Sequence, residues 1–83
     1  MDNSRVKDLE RFQKVIDNPA KHPAVKRASY RAIGNIVKQM HDHKLTGMRH
    51  RLIRAAIAND ELEQWKISNQ IKEYAHEQKY DQL

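Results

Sequence analysis

Cysteine is absent from the sequence, which excludes disulfides, thiolate metal sites and cysteine nucleophiles and leaves the core as the sole source of stability. Only two glycines and two prolines interrupt the chain, so long helices are favoured over turn-rich architectures. No stretch approaches the roughly 20 apolar residues of a membrane span. The opening MDNSRVKDLERFQKVIDNPA mixes four acids with four bases and has no apolar run of signal-peptide length. A cytoplasmic protein, neither exported by such a signal nor embedded in a membrane, is therefore expected. With 83 residues, a chain buries only about 60 to 65% of the surface that its unfolded form exposes, so its stability should be modest.

What is present is helical periodicity. Val6, Leu9, Phe12 and Ile16 recur every three to four residues, which predicts an amphipathic helix over about residues 4–17, capped by Asn3 or Ser4. Pro19 and Pro23 break it, and Pro23 suits the first turn of a second helix over about 24–41. There Val25, Ala28, Ser29, Ala32, Ile33, Ile36, Val37 and Met40 share a face, with Ile33 and Ile36 expected deep in the core. On the opposite side the projection at 100° per residue gathers Arg27, Arg31, Gly34 and Lys38. The segment from His41 to Leu45 reads as a connector and Thr46 as the cap of a third helix over about 47–58. Its apolar residues, among them Leu52, Ile53 and Ile57, cover more than half of its circumference, as in a helix packed between neighbours.

Asp60, followed three residues later by Glu63, resembles a capping box and predicts a break before a fourth helix over about 60–79; the alternative is one helix running through Asn59. In the fourth helix Ile67, Ile71, Tyr74 and Ala75 share one face, while Leu62 and Trp65 project elsewhere. The tail from Gln78 to Leu83 should fray. With no repeats or linker, the chain reads as a single domain over 1–83, an all-α bundle of three to four helices.

Charge is unevenly distributed. Residues 1–20 are neutral, residues 21–54 carry nine bases against Asp42 alone, net +8, and residues 55–83 carry three bases against six acids, net −3. Such asymmetry suggests a polyanionic partner for the middle of the chain. Lys26, Arg27, Arg31, Lys38 and Lys44 would meet phosphates from the second helix and its connector. Arg49, His50, Arg51 and Arg54 would do so from the third. Gly34 would admit a phosphate closely. Equally, these cations are compatible with an ordinary solvated face, or with the acidic fourth helix lying against them as an internal complement.

Sharper motifs find little support. A helix-turn-helix is disfavoured by the connector of five or six residues, whose only glycine, Gly47, comes at its end. His41 and His43 flank Asp42, but transition-metal sites need three or four ligands at defined spacing, so no metal or other cofactor is expected. Ser4, Ser29 and Ser68 lack a nucleophile context, and carboxylates such as Asp60 and Glu61 are explained by a helix start, so the chain is not expected to be an enzyme. Tyr30 and Trp65 are read as interface anchors before stacking platforms. Small basic bundles occur among phage and mobile-element regulators and immunity proteins, a likeness of size and class that transfers no residue roles. The leading expectation is a small regulatory protein that binds nucleic acid through the second and third helices. The alternative is an adaptor or inhibitor that meets another protein through the apolar surface of the fourth helix, Leu62, Trp65 and Tyr74; an acidic protein surface is the other candidate partner of the basic segment, and a homodimer is compatible with either reading.

Overall fold

Each helix start and stop has a chemical cause. In the computed structural model, which describes residues 4–78, the elements are α1 (Ser4–Asp17), α2 (Pro23–Met40), α3 (His43–Ile57) and α4 (Glu61–Glu77), with no strand among the described residues. Pro23 occupies the first turn of α2, where its missing N–H costs nothing, and His22 caps that turn by accepting the Ala24 N–H at Nδ1, 3.0 Å. Asp42 caps α3, its Oδ1 accepting the Lys44 and Leu45 N–H groups at 2.9 and 3.0 Å. Between α3 and α4 the N–H of Asp60 reaches the Ala55 carbonyl at 2.9 Å and that of Asn59 the Ala56 carbonyl at 3.1 Å. With Asn59 left-handed at φ 56°, this is the Schellman pattern with asparagine in the glycine position. Asp60 then turns donor into acceptor and caps α4 at the Glu63 N–H, 3.1 Å. The predicted break before the fourth helix is thus present.

All four helices contribute to one core. Val6, Leu9 and Ile16 of α1 meet Ile33 and Val37 of α2, Leu45 and Leu52 of α3, and Ile67, Ile71 and Ala75 of α4. Each such side chain contributes roughly 1.5 to 3 kcal/mol by leaving water. Helix α1 packs on α2 and α4, and α3 packs on α2 and α4, with a lesser contact between α2 and α4. Polar ties join the layers: Tyr74 of α4 donates to the Asp42 carboxylate at 3.2 Å, and His76 of α4 meets Glu10 of α1 at 2.6 Å. No helix is long and apolar enough to cross a membrane among the described residues. Of the tail from Gln78 to Leu83 that is expected to fray, residues 79–83 lie outside the described residues, and Gln78 caps α4 with its N–H on the Tyr74 carbonyl at 3.0 Å.

Three sequence expectations are corrected. The third helix starts at His43, not Gly47, so the linker is His41 and Asp42 alone, and Asp42, not Thr46, is its cap. The reason is local: an aspartate accepting two N–H groups opens a helix without a long connector, and Leu45 thereby enters the core, fully buried. The buried arc of α2 is Ser29, Tyr30, Ile33, Gly34 and Val37. It is rotated toward α3, leaving Val25 and Ala28 exposed and Ile36 only half-buried. Gly34 is accordingly not on an outer face; it is buried in α2, and its carbonyl accepts from Arg49 Nε at 3.1 Å.

Candidate partner-binding groove

The rotation of α2 brings its basic stripe to the seam with α3, where a groove of about 780 Å³ opens. Residues between Pro23 and Asn35 form one wall, residues between Arg49 and Ile57 the other, and the first turn of α4 closes the end with Leu62 and Trp65. The opening therefore lies away from the His41–Asp42 linker. Five large apolar residues are exposed in the described chain, Val25, Ile53, Ile57, Leu62 and Trp65, and the last four all line this groove. Ile57 is 80% and Leu62 62% exposed, values that the packing of a small monomer does not require. Lys26, Arg27, Arg31 and Arg49 line the same space, against one carboxylate, Glu61.

Two of these side chains are held in place. The Trp65 indole N–H donates to Asp17 Oδ1 at 2.8 Å, and Asp17 also accepts from Gln13 Nε2 at 3.1 Å, so the end of α1 fixes the indole. Arg49 is fixed on the Gly34 carbonyl. Tyr30 is a buried residue of the groove, and its hydroxyl pKa is pushed up from 10 to about 12, first by desolvation and then by the negative charges of Asp17 and Glu61. It stays a neutral phenol at physiological pH.

The residues singled out in the sequence separate into distinct places. Lys26, Arg27, Arg31, Arg49, Leu62 and Trp65 meet in the groove, which joins members of the expected nucleic-acid set with members of the expected partner set. Lys38, His50 and Arg54 are exposed outside it. Arg51 donates to Gln70 Oε1 of α4 at 3.1 Å. Lys44 sits over the Tyr74 ring, 5.1 Å from its centroid. Tyr74 itself packs against the core with its hydroxyl on Asp42, so it lies apart from Leu62 and Trp65; partial burial and then the Asp42 carboxylate raise its pKa. No ion pair among the described residues involves Lys26, Arg27, Arg31, Lys38, Arg49 or Arg54, although Glu61 of α4 lines the groove beside four of them. The linker of two residues, without glycine, is shorter than the three to four of a helix-turn-helix turn, where the sequence suggested five or six. In addition, Arg49 turns into the groove and Arg51 toward α4, and the arginines of α3 present no common face. Sequence reasoning missed Ile53 and Ile57 as surface residues, because the same apolar spacing marks a packed face and an open one.

Among the described residues no group of three or more His, Asp or Glu side chains is placed to hold a metal ion. No family model, curated protein or solved structure matches the chain.

Proposed function

We propose that this chain is a non-enzymatic binding protein, an adaptor or inhibitor acting in the cytoplasm, whose groove between α2, α3 and the start of α4 takes a segment of another protein. The observation that supports this is the gathering of four exposed apolar side chains and four unpaired cations in one concavity. Apolar anchors ringed by charge are the composition of energetically dominant interface centres, with tryptophan and arginine prominent among them. Panning a peptide-display library on the full chain tests it. Enriched peptides should lose binding to Ile57→Glu and Leu62→Glu variants and keep it with Lys38→Ala or Arg54→Ala. Binders indifferent to Ile57 and Leu62 would count against the groove. Self-association through the same surface is the homotypic form of this reading, and light scattering of the wild type against Ile57→Glu distinguishes it.

A second reading, nucleic-acid binding, is supported by the exposed cations Arg27, Arg31, Lys38 and Arg54, for which no carboxylate partner lies within the described residues. It requires duplex affinity to fall with salt at a log-log slope of about −0.9 per phosphate neutralised. Absence of binding at about 50 mM salt, where phosphate contacts are strong, would eliminate it.

A further inference from the structure

We infer that the segment bound in this groove is an acidic amphipathic helix, an inference that rests on the protein-binding reading above. The lining of α2, from Pro23 to Asn35, extends over about 18 Å at 1.5 Å per residue, or three turns. The groove is open along this length between two helix walls, so it admits one face of a helix and leaves the other in solvent, as in helix-in-groove recognition.

An extended strand would also span this length, and hydrogen bonding decides between the two. Both walls are helices whose backbone groups are satisfied internally, and the Gly34 carbonyl is already taken by Arg49. A strand entering here would bury N–H and C=O groups with no ladder to join, at about 1 to 3 kcal/mol for each unpaired group. A helix brings its own bonds. The chemistry of the walls then orients it. Ile53, Ile57, Leu62 and Trp65 form the α3–α4 side, whereas Lys26, Arg27 and Arg31 belong to α2. Arg27 and Arg31 are one turn apart, about 6 Å along the axis, so carboxylates spaced i, i+4 along the partner face them while leucine-like residues at i, i+3 and i+7 enter the apolar side. A phosphate backbone is a poorer fit, since it would set charges against Ile57 and Leu62.

The test uses the full chain and fluorescein-labelled peptides of about 18 residues, long enough to hold helical structure in water, read by anisotropy. One has a leucine stripe flanked by glutamates; in the others the stripe is scrambled, the glutamates are replaced by lysines, or two prolines are placed mid-chain at unchanged charge. The acidic helix should bind about tenfold or more tightly than each of the others. Ile57→Glu should abolish that preference. The double reversal Arg27→Glu with Arg31→Glu should weaken the acidic peptide and favour the lysine one, with unchanged circular dichroism showing that both variants fold. Equal binding of the proline or lysine peptide, still lost in Ile57→Glu, overturns the acidic helix and leaves the groove as a protein site. Peptide binding untouched by Ile57→Glu, or displacement of the peptide by a DNA duplex alone, overturns both.

Discussion

Replacing Leu45 with alanine distinguishes a helix capped by Asp42 from one capped by Thr46. Leu45 is fully buried in the core, and buried leucine-to-alanine changes cost about 2 to 5 kcal/mol, more where the cavity cannot collapse. Leu45 lies one turn from the cap, where α3 is anchored at both Asp42 and Tyr74, so collapse is hindered and about 3 to 5 kcal/mol is expected. At about 0.05 to 0.15 kcal/mol per residue the whole chain is stable by only about 4 to 12 kcal/mol, so this variant loses a large share of its stability. Each kcal/mol lowers Tm by about 4 to 8 °C at this size. Thr46→Ala is the internal comparison. Its hydroxyl donates to the Asp42 carbonyl at 2.9 Å from an exposed position, and such surface losses stay within about 0.5 kcal/mol. Asp42→Ala removes a cap accepting two N–H groups and should cost about 1 to 2 kcal/mol, plus the Tyr74 tie. Urea unfolding followed by far-ultraviolet circular dichroism measures all three. If Thr46→Ala is costlier than Asp42→Ala, or Leu45→Ala costs less than about 1 kcal/mol, then Leu45 is in a linker and the geometry described for α3 is wrong.

Glycine supplies a test of opposite sign. A Cβ at Gly47 would meet nothing within 4 Å, and one at Gly34 would reach Arg49 Cγ and Nε only at an ordinary 3.9 Å, so Gly47→Ala and Gly34→Ala should each stabilise by about 0.5 to 1 kcal/mol. A lower Tm for the Gly34 variant would mean that Arg49 packs closer than described. For Tyr30, raised from 10 to about 12, the folded state holds a proton that the unfolded chain has lost, so stability falls as pH rises through that window. Urea titrations at stepped pH should show a shallower alkaline decline for Tyr30→Phe, and an identical slope in both proteins would deny the burial of that hydroxyl.

The local pattern conveyed the helices but not which of their arcs are covered. Period and proline placement were enough for α1 and α2, and the Asp60–Glu63 pair marked the start of α4, because these signals act within one turn. Asp42 carries the same chemistry as Asp60, yet flanking histidines and a following lysine gave the segment the look of a loop, and α3 was read four residues short. The groove was half legible: Arg27, Arg31, Arg49, Leu62 and Trp65 were all singled out, but as two surfaces. Their union depends on α4 folding back beside α2, a contact between residues some 35 positions apart along the chain that no periodicity encodes. The buried arc of α2 was misplaced because apolar spacing alone put Gly34 and Tyr30 outside the core, whereas the packing of α3 buries both and brings Arg49 onto the Gly34 carbonyl.

The corner between α3 and α4 is what makes the surface a site. Had α3 continued through Asn59, Ile57 and Trp65 would stand about 12 Å apart along one axis, and no concavity would lie between them. The left-handed Asn59 and the double use of Asp60 reverse the chain within three residues, and Ile57, Leu62 and Trp65 come to face a common space. Within it the order is uneven. Trp65 is held by Asp17 and Arg49 by Gly34, so neither loses the roughly 0.5 to 1.5 kcal/mol of freedom that binding takes from a mobile side chain. Arg27, Arg31, Ile57 and Leu62 are exposed and have no comparable tie, and they are free to adjust to what arrives. In the proposed complex the preordered indole and guanidinium would set the position of the incoming helix, and the adaptable residues around them would close over it.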